Sequence, residues 1–173
     1  MLPTPDSPVY SLPCDLAELA ATLPPKRQSL GLVLGLWLAL EWESGLIQCA
    51  RWVDAPAEGP DQLTQHLIAL SLHAPGALES WLAPAATPFA QRLRHELFRI
   101  MPGHTVSYGA MAARLGGRAA RGVGMALGAN PIPWFVPCHR VIAADGSLGG
   151  YSAGIENKRL LLLRERCWAK ANA

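Results

Sequence analysis

No stretch of this 173-residue chain is apolar for long enough to cross a bilayer. The longest such run, LGLVLGLWLAL from Leu30 to Leu40, falls well short of the ~20 residues a spanning helix needs. No cationic segment, apolar run and cleavage site stand together at the N-terminus, so no signal peptide is expected. These absences predict a soluble intracellular protein without a membrane partner. Cysteine is sparse too. Cys14, Cys49, Cys138 and Cys167 are scattered, with no C-x-x-C pair, which argues against a disulfide framework and a structural zinc. Only Cys138-His139 is a close Cys–His pair, and neighbours in extended chain point opposite ways. No metal and no cofactor are expected.

Acidic residues are scarce in the second half and basic ones in the first. Residues 1–87 carry three basic and nine acidic side chains, a net of −6. Residues 88–173 carry twelve basic and four acidic ones, a net of +8. Such asymmetry suggests two units, the basic one facing a polyanion or simply solvating its surface.

Half of the residues are apolar, enough to build a core. From Leu30 to Leu40 leucines alternate with other apolar residues, and period two predicts a strand with both faces apolar. Glu43-Ser44-Gly45 predicts a turn and LIQCARWV a returning strand. Asp61 is a candidate N-cap for a helix with Leu63, Leu67 and Leu70 on one face. This half reads as a small α+β domain, in which His66 and His73 are surface or packing residues rather than ligands.

WLAPAATP, Trp81 to Pro88, is the expected linker, placing domains at 1–84 and 85–173. Thr87 caps a helix that Pro88 opens, with Phe89, Leu93 and Leu97 at helical spacing. Ser107 caps a second, short helix, Gly116-Gly117 ends it, and RAARGVGMALGAN forms a third, rich in Ala and Gly. Two short helices about a glycine turn read as a helix-turn-helix, or as an ordinary packed hairpin. Arg118 and Arg121 lie at the end that such helices present to DNA. Asn130-Pro131-Ile132-Pro133 stops the helix, and WFVPCHRVIA is expected to be extended. A glycine-rich loop follows, then a last helix from about Ile155 to Trp168.

Taken together, NPIP, PCHRV, SYGAMA…RAARGVG and GGYSAG, spread from about Phe89 to Glu165, resemble the O6-alkylguanine–DNA alkyltransferases. The resemblance implies an α+β chain with a ribonuclease-H-like N-terminal domain and a mainly helical, winged helix-turn-helix-like C-terminal one. It implies single-turnover DNA repair. Cys138 takes the alkyl group from O6-alkylguanine, with O4-alkylthymine open, and keeps it as a thioether. His139 acts as base through a bridging water, Glu165 orients His139, and Tyr108 donates a proton to guanine N3. Asn130 braces the cysteine turn. The backbone amide of Ser152 contacts O6, the carbonyls of Cys138 and Val141 meet the guanine amine, and Pro133 and Tyr151 wall the pocket. The base is flipped out of the duplex and Arg121 fills the gap. Arg118 lies near the DNA-binding end, and Gly124 with its small neighbours lets the helix sit in the minor groove. The partner implied is double-stranded DNA carrying the lesion. The location is cytoplasm or nucleoid, and a monomer is the default.

Other readings stand beside this one. Alkyltransferase-like proteins bind the lesion without transfer, but carry tryptophan where Cys138 stands. A Cys–His hydrolase usually draws its histidine from a distant position. Cys138 could also be simple packing. Gly128-Ala129 stand where the family often has a further basic residue, which would weaken phosphate contact. Cys167 is expected to be a buried structural cysteine.

Overall fold

In a computed structural model of the chain, residues 26–117 and 119–172 are described. Arg118 and Cys14, both singled out above, lie outside them. The chain divides into two compact units, residues 1–83 and 84–173. Among the described residues no helix is long and apolar enough to cross a membrane.

Among the described residues, the first unit is a three-stranded antiparallel sheet with one α-helix. Its strands β1 (Lys26–Val33), β2 (Leu36–Glu43) and β3 (Leu46–Val53) lie in chain order. The leucine-rich run expected to be one strand is instead a hairpin. Leu34 (φ 46°) and Gly35 (φ 83°) turn the chain between Val33 and its partner Leu36. Period two survives such a turn, because the residues after it resume alternation on the other strand. Ser44 (φ 52°) and Gly45 (φ 77°) make the second turn where the sequence predicted one.

Helix α1 (Gln62–His73) covers the sheet. Asp61 caps it by accepting from the Thr64 amide at 2.9 Å, and also binds Arg27 at 2.8 Å. Leu63, Leu67, Ile68 and Leu72 are buried, while Leu70, expected on that face, is half-buried. Gly31 is where helix and strand meet: a Cβ there would come within 2.4 Å of Ile68 and 2.6 Å of Thr64. The edge of β1 is closed by α1, since the Leu32 amide donates to Gln65 Oε1 and the Asp61 amide to the Leu30 carbonyl. A 3-10 turn, Pro75–Trp81, was not anticipated. It buries Leu78 and Trp81, and Leu82 follows as a bridge partner of Ile47. The start of the expected linker is therefore part of the first unit's core.

The second unit opens with α2 (Pro88–Phe98), capped by Thr87 Oγ1 on the Ala90 amide at 3.1 Å. Strand β4 (Val106–Ser107) leads directly into α3 (Tyr108–Arg114), and α4 (Ala120–Gly128) packs against α3. Ser107 Oγ accepts from the Ala110 amide at 3.1 Å, as its place before SYGAMA predicted. Strand β5 (Val141–Ile142) pairs in parallel with β4, Val106 opposite Val141. Helix α5 (Ile155–Ala171) runs three residues beyond its expected end. Its buried positions are Lys158, Leu161 and Glu165, one stripe at i, i+3 and i+7. Cys167 is exposed rather than buried, because it falls two residues off that stripe. The segment Cys138–Arg140, expected to be extended, is a single 3-10 turn. Pro137 precedes it, and the Arg140 amide donates to the Pro137 carbonyl at 3.1 Å.

Candidate functional site

The tight turn at Cys138–Arg140 decides the site. In an extended chain His139 and Arg140 would diverge, whereas here both side chains reach the same carboxylate. His139 Nε2 lies 2.8 Å from Glu165 Oε1. Arg140 grips Glu165 with Nη2 at 2.8 Å and Nε at 3.1 and 3.2 Å from its two oxygens. The Gly103 amide adds a fourth donor at 3.2 Å. Arg140 Nη1 is taken up by the Ile100 carbonyl. All three side chains are buried, with His139 and Glu165 fully so. Such a burial is tolerable only because each charged atom has partners. Burial pushes the Glu165 carboxyl up, but His139 and Arg140 outweigh it and hold it at about 2. Burial holds His139 below its ordinary 6.5 despite Glu165, so the resting imidazole is neutral and can accept a proton. With Nε2 engaged by Glu165, Nδ1 is buried without a protein hydrogen-bond partner.

Cys138 is 3% exposed and faces a pocket of about 620 Å3. Burial raises its thiol above 9.0, against the opposing pull of Asn130, Lys158 and Tyr151. The resting group is therefore a thiol, and attack requires a base. Asn130 sits where α4 ends and does three things at once. Its Oδ1 accepts from the Ile132 amide at 3.1 Å, and its Nδ2 donates to the Val136 carbonyl and to Cys138 Sγ, both at 3.1 Å.

Tyr108, Gly124, Leu127, Tyr151 and Ser152 line the same pocket as Cys138. Tyr108 opens α3 and its hydroxyl donates to the Gly150 carbonyl at 3.3 Å. Gly149 (φ 65°) lets the following loop close over that ring, since a Cβ there would sit 2.9 Å from Tyr108 Cε2. Pro133 and Val141 are buried and do not line the pocket. Arg121 is exposed on α4, as is Met125 at 72%. Among the described residues, no group of three His, Cys, Asp or Glu side chains could hold a metal.

The side-chain contacts of two residues in the site were not anticipated. Lys158 is fully buried, with Nζ donating to the Val141 carbonyl at 2.7 Å and the Gly150 carbonyl at 3.3 Å. Its ammonium lies 5.8 Å from the Tyr108 ring centroid and 6.0 Å from that of Tyr151. The available signal was its place seven residues before Glu165, which puts a charge on the apolar stripe of α5. Trp134 is the other: its ring is stacked on His139. Nothing local in WFVPCHRV announces that contact.

Residues 88–167 match the family described as 6-O-methylguanine DNA methyltransferase, DNA binding domain. A methylated-DNA–protein-cysteine methyltransferase of Mycobacterium tuberculosis is 51% identical over 87 residues, covering 50% of this chain and 53% of that protein. The human protein of the same name is 33% identical over 122 residues, covering 69% and 55% respectively. The matches thus span about half the length of these curated relatives. The crystal structure of Mycobacterium tuberculosis OGT in complex with DNA superposes with a TM-score of 0.59 at 37% identity, over 76% of this chain and 87% of that one. The O6-methylguanine-DNA methyltransferase of Pyrococcus kodakaraensis gives a TM-score of 0.63 at 26% identity, over 75% and 91%. On this sequence match, and on a fold shared with those structures, the chain belongs to the 6-O-methylguanine DNA methyltransferase family.

Proposed function

We propose that this chain is a single-turnover DNA-repair protein that moves the alkyl group of O6-alkylguanine onto its own Cys138. The observation that carries the reading is a buried thiol at a pocket surface, hydrogen-bonded by Asn130, with a neutral His139 anchored to an ionised Glu165 in the next residue's turn. The substrate is double-stranded DNA carrying the lesion, and the basic second half of the chain suits that polyanion.

The step runs as follows. The Cys138 proton passes through one water to His139 Nδ1, the ring atom left without a protein partner. Glu165 stabilises the imidazolium that forms, as the orienting acid of a nucleophile–base pair does. The thiolate, held by Asn130 and favoured by the Lys158 ammonium, attacks the alkyl carbon. The carbon–O6 bond breaks, its electron pair goes to guanine, and Tyr108 supplies a proton to N3. The proton held by His139 returns through solvent to the Tyr108 phenolate, and the products are S-alkylcysteine and guanine. A thioether has no labile bond, so each chain acts once.

The finer assignments follow the same reading. The Ser152 amide meets O6 and the Cys138 carbonyl meets the guanine amine, while the Val141 carbonyl, implied by the resemblance for the same contact, is held by Lys158 outside the pocket lining. An intrahelical base is out of reach of Cys138, so the nucleotide is flipped, at a cost of a few kcal/mol. Arg121, exposed on α4, fills the space left behind. The small residues Gly124 and Gly128 let α4 lie in the minor groove. The protein acts as a monomer. Its first unit is ribonuclease-H-like, and its second is a winged helix-turn-helix-like domain.

Intact-mass measurement after incubation with a duplex carrying one O6-methylguanine tests the reading. One methyl gained per chain, mapped to Cys138 and saturating there, is expected. Lesion-preferring binding with no mass change would replace transfer by lesion sensing.

A further inference from the structure

Trp134 occupies a position that its own backbone does not favour. It lies in the turn between Ile132 and Val136, closed by the Val136 amide on the Ile132 carbonyl at 3.0 Å. Its φ is 74°, in the left-handed region that bulky side chains rarely adopt. Turn residues of this conformation are ordinarily small or polar and exposed. Trp134 is instead 2% exposed, and its indole N–H is buried without a hydrogen-bond partner. Both features cost stability, and strain of this kind is kept where the surroundings over-determine it. What the cost secures is a contact: the indole is stacked on the His139 imidazole, with ring centroids 5.6 Å apart and planes 5° from parallel.

We propose that Trp134 is a positioning residue for His139, an aromatic plate that fixes the imidazole plane and stabilises its protonated form while Cys138 is deprotonated. An offset parallel pair at this separation is a favoured aromatic geometry. A cation within about 6 Å of an indole face is attracted by its quadrupole, and the imidazole becomes that cation when it takes the thiol proton. The contact therefore strengthens as the reaction proceeds, unlike one that merely fills space. Glu165 and Lys158 from α5 and Arg140 from the same turn are the charged groups that act on the ring. Glu165 favours the imidazolium and the two cations oppose it. The loop before β4 contributes backbone groups, the Ile100 carbonyl to Arg140 and the Gly103 amide to Glu165. The 132–136 turn contributes the neutral indole, which favours the cation without adding a charge.

The inference rests on the alkyl-transfer reading, but its first test does not need activity. The His139 ring is titrated by NMR in wild type, Trp134→Phe and Trp134→Leu. Wild type should show the upfield ring-current shift of a stacked imidazole, and its absence would overturn the proposal. Trp134→Leu should lower the midpoint of His139 by about one pH unit, the scale of a single buried cation–π contact. Trp134→Phe keeps a ring and should hold the midpoint within about a third of that change. The second test is the rate of Cys138 alkylation by free O6-benzylguanine against pH. Trp134→Leu should lower the plateau about tenfold and move the acid limb to lower pH, because a weaker base also stays neutral further down. Loss of rate with an unmoved acid limb, or equal loss in Trp134→Phe, would leave Trp134 as packing. If Trp134→Leu does not fold, the wild-type ring-current shift and the Trp134→Phe titration still decide. A wild-type chain that gains no alkyl group would sink the transfer reading, leaving the His139 titration to judge the plate by itself.

Discussion

Asn130 concentrates several tasks in one side chain. Its amide satisfies the Ile132 N–H and the Val136 carbonyl, which shapes the 132–136 turn, and the same Nδ2 donates to Cys138 Sγ. Asn130→Ala would leave backbone groups and the thiol short of partners. A stability loss of about 2 kcal/mol is expected by urea unfolding, since each buried unsatisfied group costs about 1–3 kcal/mol. Alkylation of Cys138 should slow as well, because the developing thiolate loses a donor. Full stability with slowed transfer would separate the donor role from the structural one. Unchanged stability and rate together would remove Asn130 from both. Lys158 is a contrasting case. Its ammonium favours the Cys138 thiolate through space while binding the Val141 and Gly150 carbonyls, so one cation acts on both the thiol and the pocket wall.

At the scale of elements, the short pair β4 and β5 sets the site. Their parallel pairing places Ser107, which starts α3, opposite Ile142, which follows the Cys138 turn. Tyr108 and Cys138 come to one pocket for that reason. The α4 helix projects Arg121 and Met125 into solvent, while Val123 and Leu127 hold it to the unit. Arg121→Ala should therefore leave the pocket intact. Its alkylation by free O6-benzylguanine should stay within about threefold of wild type, whereas duplex repair should fall about 100-fold, the scale of an uncompensated unstacking cost. Equal losses on both substrates would argue against a role in extruding the base.

For the molecule as a whole, the buried His139–Glu165–Arg140 cluster predicts how stability follows pH. The folded state holds His139 below its ordinary 6.5, so as pH falls below that value the unfolded chain binds more protons and stability declines. Glu165 is held at about 2 against an ordinary 4.5, so its contribution is present above 4.5 and is lost as pH falls toward 2. Urea unfolding between pH 8 and pH 3 should show stability falling in both windows. A level profile from pH 7 to pH 4 would contradict the cluster. Glu165→Gln should flatten the lower window yet weaken the protein at pH 7, because Arg140 is left as a buried charge without its partner.

Much of this was determined by the sequence itself, and the reason is locality. Caps at Asp61, Thr87 and Ser107 act within three residues of themselves, so residue type and spacing suffice. PCHRV and its companion segments carry a family resemblance, and that resemblance, not spacing, implied roles for Cys138, His139 and Glu165. Alternation correctly indicated strands at Leu30–Leu40 but could not show the hairpin turn within it, because a two-residue turn preserves the period. What tertiary structure alone decided depends on distant residues. The Cys138–Arg140 segment coils into a turn instead of extending, since Glu165, 26 residues beyond His139, offers one carboxylate to both side chains. Lys158 is buried because the Val141 and Gly150 carbonyls converge on it, and Cys167 is exposed because it misses the stripe that faces inward. The stacking of Trp134 on His139 follows from a left-handed residue in a buried turn, a conformation that no local propensity of tryptophan favours. Contacts of this kind are settled by packing and charge compensation across the fold, where sequence spacing carries no information.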